Sequence, residues 1–280
     1  MKRISILLFL FSSMSIAAQE LNVMTFNIRY NNPGDSLDAW PYRKDKVSSQ
    51  VLYYEAHVLG VQEALLGQLE DMLQSLPKYK YVGVGRDDGK QKGEYSAIFY
   101  DTSRLQAMQS KTFWLSETPE MPGSKSWDAA ITRIVTWVKF RDLKTKKIFF
   151  AFNTHFDHIG QVARRESAKL LLQKVKEIAG NTPAVITGDF NAQPADEPIR
   201  VINDKSNPLH LTDSKEISKT PHYGPTGTFN GFRNKERSDK PIDYIFLKGG
   251  WKVLKHATIS ETWEGRFASD HFAVLAKLLL

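Results

Sequence analysis

The sequence predicts an α/β fold in which two β-sheets carry helices on their outer faces. Three observations lead there. Ten short runs are rich in β-branched and aromatic residues, a few helical periodicities lie between them, and Gly, Pro, Asn or Asp mark many of the boundaries. The β-type runs are 21–26, 57–62, 79–83, 95–100, 134–140, 148–153, 184–187, 242–247, 252–258 and 272–279. Helices are predicted over 44–54 from Val47, Val51 and Tyr54, and over 65–76 from Leu65, Leu69, Met72, Leu73 and Leu76. The clearest periodicity comes after Gly160: Ala168, Leu171, Leu172, Val175, Ile178 and Ala179 recur at three and four, with Gly180 as a stop and Pro183 just beyond. Two long stretches read as loops, 116–130 and 210–240, and loops of that length are often functional. Strand signals resume at once on both sides of each, so neither reads as a linker.

At about 150 residues per domain, the 280 residues allow one or two domains. Hydrophobic residues at 41% and charged residues at 25% exclude a disordered, collagen-like or coiled-coil chain. The absence of cysteine excludes disulfides, a thiolate metal site and a cysteine nucleophile, so any metal must be held by carboxylate, amide or imidazole. Residues 1–18 have the three-part shape of a secretory signal: Lys2 and Arg3, an apolar run over 4–11, then Ser15-Ile16-Ala17-Ala18. The run is shorter than the ~20 residues of a membrane span. Export is therefore expected, to the periplasm or beyond the cell, with residues 19–280 forming one domain. Cleavage after Ala18 removes Lys2 and Arg3 and reduces the surplus of Lys+Arg over Asp+Glu from seven to five. That surplus suits an anionic substrate and does not require nucleic acid.

The informative polar residues share a context. Asn27, Glu63, His155, Asp157, Asp189 and Asn191 come after apolar runs, Asp243 opens one, and Asp270 and His271 immediately precede the last. Strand ends hold polar groups rigidly at one sheet edge, as a preorganised site requires.

These segments together resemble the endonuclease/exonuclease/phosphatase superfamily of DNase I-like metal-dependent phosphoesterases. The matching segments are Thr25-Phe26-Asn27-Ile28-Arg29, Gly60-Val61-Gln62-Glu63, Asn153-Thr154-His155-Phe156-Asp157, Gly188-Asp189-Phe190-Asn191, Ile242-Asp243-Tyr244-Ile245 and Ser269-Asp270-His271. They occur in the family's order and span nearly the whole mature chain. The resemblance implies a four-layered α/β sandwich with the site at one edge of two packed sheets.

It also implies a chemistry, in-line cleavage of a phosphoester by water. Glu63 is the expected direct ligand of Mg²⁺, with Mn²⁺ as a substitute, since Mg²⁺ takes one or two carboxylates and keeps several waters. Asn27 and Asp270 complete that site directly or through water. His271 is read as the general base, oriented by Asp243. Asp189 is the competing base, and the choice between them is left open. Asn191 donates to the nucleophile or a phosphoryl oxygen, and His155 stabilises the phosphoryl oxygens or assists the leaving group. Glu94 resembles the carboxylate that pairs with this histidine in DNase I-like members; the other reading is an exposed strand-start glutamate. Arg133 is placed to clamp a phosphate, guanidinium matching phosphate geometry, against the commoner fate of a solvated arginine. Arg29, Trp40 and Arg43 invite the same reading more weakly, Asp157 fits either the motif or a loop, and Trp263 is close enough in sequence to Asp270 to wall the pocket. His57 reads as a satisfied core or edge residue.

The expected function is an exported Mg²⁺-dependent phosphoesterase, a phosphodiesterase before a phosphomonoesterase. A secreted nuclease and a phospholipase C-like hydrolase of sphingomyelin or phosphoinositides are the alternatives. A catalytically inactive binding module on the same fold would have lost one of Glu63, Asp189, Asp243 or His271, and all are present. No protein partner is implied.

Overall fold

The computed structural model describes residues 20–233 and 239–280. The expected signal segment, 1–18, lies outside the described residues, as do residues 234–238 of the long stretch 210–240. No helix among the described residues is long and apolar enough to cross a membrane.

Two six-stranded mixed sheets form the centre. The first contains β1 (Leu21–Asn27), β2 (Val58–Ala64), β3 (Tyr79–Val82), β4 (Tyr95–Asp101), β11 (Lys252–Ile259) and β14 (Ala273–Leu279), in the order β11-β14-β1-β2-β4-β3. The second contains β5 (Leu105–Trp114), β6 (Ile134–Asp142), β7 (Ile148–His155), β8 (Ala184–Asp189), β9 (Thr212–Asp213) and β10 (Asp243–Lys248), in the order β5-β6-β7-β8-β10-β9. A small hairpin, β12 (Thr262–Trp263) and β13 (Arg266–Phe267), stands apart. Helices α1 (Lys44–Tyr53) and α2 (Leu66–Ser75) cover the first sheet, and α3 (Gln161–Ala179) and α4 (Glu197–Asn203) cover the second.

Strand periodicity explains the layering. Successive side chains point to opposite faces, so in β7 Phe149 and Ala151 enter the core between the sheets while Phe150 and Phe152 pack under α3. In β1, Leu21 and Val23 face the second sheet, and Met24 and Phe26 face α1 and α2. Strands buried on both faces read as continuous apolar runs. On α3, Ala168, Leu171, Leu172 and Val175 form the buried stripe, each leucine contributing about 1.5–3 kcal/mol. Gly180 ends it with φ 57, a conformation open to glycine without a Cβ penalty.

The sequence did not announce β5, the edge strand of the second sheet. Residues 106–111 are not buried, and a bulge between Ala107 and Gln109 interrupts the alternation. The part of the long stretch over 210–229 is also more ordered than a plain loop. It forms β9, then touches β11 through bridges at Ser218 and Tyr223, and ends against His271 through a bridge at Phe229.

A buried polar seam joins the sheets beneath one edge. Asn153 donates to the carbonyls of Val61 (2.8 Å) and Ala97 (2.9 Å), and accepts from Gln62 Nε2 (2.6 Å) and Thr187 Oγ1 (3.0 Å).

Candidate active site

Topology gathers the functional groups. β1 and β2 pair in parallel, as do β7 and β8, so Asn27, Glu63, His155 and Asp189 all emerge at C-terminal strand ends. β10 runs antiparallel to β8 and sets Asp243 opposite Asp189. β14 runs antiparallel to β1, which returns Asp270 and His271 beside Asn27. A pocket of about 510 Å³ opens at this edge. Glu63, Glu94, Arg133, His155, Asp189, Asn191, Asp270 and His271 line it, and Asn27 and Asp243 are buried behind them.

Asn27 is the hub. Its Nδ2 donates to Asp189 Oδ2 (2.9 Å) and Glu63 Oε1 (3.1 Å), while its Oδ1 accepts from the Arg29 amide (3.0 Å). Glu63 sits at the bulge of β2 with φ 63, and its Oε2 accepts from the Tyr30 amide at 3.2 Å. Arg29 (φ 56) and Asn191 (φ 46) are also left-handed. Such backbones cost about 1–3 kcal/mol each and cluster at functional sites.

Asp243 Oδ2 lies 2.9 Å from His271 Nδ1, and His271 Nε2 lies 3.8 Å from Asp189 Oδ2. Burial alone would lower the His271 pKa, but the Asp243 and Asp189 carboxylates outweigh it and raise the imidazole well above its ordinary value. Burial, reinforced by the Asp243 charge, pushes Asp189 up to about 7. His155 is held neutral by burial and by the nearby Arg133 and His271 charges. Asn191 Nδ2 donates to the Phe156 carbonyl and meets His155 Nε2, each at 3.0 Å. The proton of the neutral His155 ring therefore sits on Nδ1, which has no hydrogen-bond partner.

That orphan Nδ1 corrects one expectation. Glu94 lines the pocket, but it does not pair with His155; it forms a two-pronged ion pair with Arg86 at 2.7 and 2.9 Å. A guanidinium offers two parallel donors to a carboxylate, which an imidazole cannot match. Arg133 lines the pocket too, and its burial excludes the alternative reading given for it. It is not a solvated strand-edge residue but is 4% exposed, with Nη2 3.2 Å from His158 Nδ1 and with Nε and Nη1 lacking hydrogen-bond partners. Burial, with the Arg86 charge, lowers its pKa.

Asp157 proves to be a loop organiser. Its carboxylate accepts from the amides of Ala130, Ile131, Ile159 and Gly160. Arg43 and Trp40 are buried and cannot reach a substrate. Arg43 donates to the carbonyls of Ile28, Arg29, Asp38 and Ala268, and Trp40 Nε1 donates to Asp71. Trp263 packs on the hydrophobic cluster beneath α1 and α2 and does not line the pocket. His57 Nδ1 accepts from the Asn22 amide, a satisfied histidine at the start of the interior strand β2.

Hard oxygen donors suit Mg²⁺, and Glu63 and Asp270 supply them at the pocket wall, 15% and 12% exposed. Asn27 is committed to orienting its neighbours. A second group of ligand-type atoms, from Asp189, Asp243 and His271, falls within 4.8 Å, although the hydrogen bond to Asp243 occupies one His271 nitrogen.

The pattern of the Endonuclease/Exonuclease/phosphatase family matches residues 24–271. The chain belongs to this family. The endonuclease/exonuclease/phosphatase of Bacteroides vulgatus superposes with a TM-score of 0.88 at 42% identity, over 94% of this chain and 99% of that one. The mannosyl-6-phosphatase of Bacteroides thetaiotaomicron also gives 0.88, at 40% identity over 93% of this chain and all (100%) of that one. A more distant curated relative, the CCR4-Not complex 3'-5'-exoribonuclease subunit of Mycosarcoma maydis, is 24% identical over 64% of this chain and 35% of its own length. Across three curated relatives the chain spans 67%, 35% and 58% of their lengths.

The two-sheet family fold is thus present, and with it residues that sequence reasoning missed. Thr228 Oγ1 accepts from the Asp243 amide at 3.1 Å, and the Asn230 and Gly231 amides hold the Asp270 carbonyl at 2.7 and 3.0 Å. The Phe229 ring stands edge-on to His271, 5.0 Å between centroids. All four come from the long stretch before Asp243, whose length was the available signal.

Proposed function

We propose that the protein is a divalent-metal-dependent phosphatase of the endonuclease/exonuclease/phosphatase family that removes phosphate from a phosphorylated sugar. The observation that carries the phosphoester chemistry is the Asp189–His271–Asp243 array facing the same pocket as Glu63, Asp270 and the buried Arg133. The 40% identity to a mannosyl-6-phosphatase, over that chain's full (100%) length, favours the monoester over the diester first expected.

Glu63 and Asp270 would hold Mg²⁺, with Asn27 aligning Glu63 and Asp189. When bound, the cation supplies positive charge against the phosphoryl oxygens. The residues of the chain supply the rest. Asp189, with its pKa near 7, is poised to orient water and accept its proton. His271, kept protonated by Asp243 and Asp189, acts as a fixed cation toward a phosphoryl oxygen. These directions favour Asp189 over His271 as the base. Arg133 provides a buried positive wall, and Asn191, bonded to the Phe156 carbonyl and to His155 Nε2, holds the His155 ring at the pocket lining. Water adds to phosphorus and gives one proton to Asp189, the ester P–O bond breaks, and the leaving alkoxide takes its proton from a solvent water in the open pocket, Asp189 returning its own to solvent.

Export is part of the proposal, supported by the tripartite pattern of residues 1–18; mass spectrometry of the N-terminus of protein recovered outside the cytoplasm tests it. The activity test is phosphate release from a panel of sugar phosphates, beside a chromogenic diester and single-stranded oligonucleotides, with Mg²⁺ and with EDTA. Metal-dependent turnover concentrated on sugar monoesters is expected. Turnover of oligonucleotides alone would move the assignment to a nuclease, and no turnover of any class would remove the enzyme reading.

A further inference from the structure

Glu63 and Asp270 face each other across a third charged group. The Arg29 guanidinium lies 3.9 Å from Glu63 Oε2 and 3.8 Å from Asp270 Oδ2. It is not a wandering side chain. Nε and Nη2 bind the two oxygens of Asp35 at 3.0 and 3.1 Å, and the guanidinium sits 4.5 Å from the centre of the Tyr30 ring. Asp35 is itself anchored, since Asn32 Nδ2 donates to its Oδ1 at 3.0 Å. Behind it, the left-handed backbone of Arg29 is fixed through the Arg29 amide to Asn27 and through the Arg29 carbonyl to Arg43 and Gln68.

We propose that Arg29 is a built-in counter-cation: it balances Glu63 and Asp270 in the metal-free protein and, because it cannot leave, lowers their affinity for a divalent cation. The inference rests on the proposed metal role of those two carboxylates. Its physical content is the balance of two Coulomb interactions. Two carboxylates brought to one wall repel, and a guanidinium within 4 Å of both offsets that repulsion. A divalent cation on the same oxygens then meets a positive charge that Asp35 and Tyr30 hold in place. A mobile lysine would swing into solvent; a two-pronged arginine stacked on a ring does not.

The arrangement separates two properties that a simple ligand set would tie together. Removing the charge of Arg29 should destabilise the metal-free protein and tighten the metal. Loss of a merely structural residue would weaken both.

The test uses the mature chain, with Mn²⁺ as probe, its binding followed by electron paramagnetic resonance and its folding by melting temperature in EDTA. Arg29→Gln is expected to bind Mn²⁺ roughly tenfold more tightly, to melt at a lower temperature in EDTA, and to gain more on Mn²⁺ addition than the wild type. Arg29→Lys, which keeps a charge but loses the two-pronged grip on Asp35 and can swing into solvent, should bind Mn²⁺ with an affinity between the wild type and Arg29→Gln. Equal or weaker Mn²⁺ binding in Arg29→Gln overturns the inference and leaves the metal site standing. A wild type whose Mn²⁺ binding is absent, or is unchanged by Glu63→Gln, overturns both.

Discussion

His271 Nδ1 and Asp243 Oδ2 are 2.9 Å apart, both buried, and reach each other from the loop before β14 and the first residue of β10. The second Asp243 oxygen has no partner, so the pair is the reason for this carboxylate's burial. Asp243→Asn keeps the shape and removes the charge. Turnover is expected to fall by about 10²–10⁴ with little change in melting temperature, on the precedent of acid–imidazole pairs. Steady-state kinetics beside a thermal melt checks this, and unchanged kcat would exclude the charged His271 from the mechanism.

Arg133 should govern phosphate affinity more than folding. Asp157, its nearest carboxylate at 3.9 Å, keeps four backbone donors without it. Arg133→Ala is expected to raise KM and the inhibition constant of inorganic phosphate by about 10–100-fold, the scale of one or two charged hydrogen bonds. Inhibition by phosphate equal to that of the wild type would return Arg133 to a packing role.

Gly60 is a prediction about stability alone. A Cβ there would lie 2.2 Å from Thr187 Oγ1 and 2.5 Å from Asn153 Oδ1, inside the polar seam that joins the sheets. Gly60→Ala should cost about 1–3 kcal/mol, the usual penalty of overpacking, and a second change, Thr187→Ala, should recover part of it. Urea unfolding of the single and double variants decides; equal midpoints for wild type and Gly60→Ala would mean that the seam yields freely.

His256 sets an acid limb. Its Nδ1 lies 2.9 Å from His222 Nδ1, and burial, with the His222 charge, lowers its pKa from 6.5 to about 3. The folded state then binds fewer protons than the unfolded one between those values, so stability is full above pH 6.5 and is lost as pH falls toward 3. His256→Phe should flatten the loss by up to about 1.4 kcal/mol per pH unit. Denaturant unfolding between pH 7 and 4 measures the slopes, and parallel lines for the two proteins would count against a buried neutral His256.

Much of the fold was legible because burial on both faces leaves apolar runs that no other element explains. The runs at 21–26, 148–153 and 184–187 became β1, β7 and β8, and the Gly180 stop ends α3 where its spacing said. The strand β5 was not legible, since an edge strand carries polar residues on its solvent side and here a bulge breaks the period. Glu94 shows the same limit inside the site: the family resemblance implied a carboxylate paired with His155, and only the fold brought Arg86 to it.

The sequence by itself determined the inventory of chemistry: carboxylates, amides and imidazoles at strand ends, in the order of one family. Those identities are local, set by the few residues at the end of each apolar run. The tertiary structure decided which of them meet. Parallel pairing of β1 with β2 and β7 with β8, and the antiparallel return of β14, bring Asn27, Asp189 and His271 into one cluster from sites 162 and 244 residues apart. Partners and proton affinities depend on distance and burial, and neither is a property of a residue before the chain has closed around it.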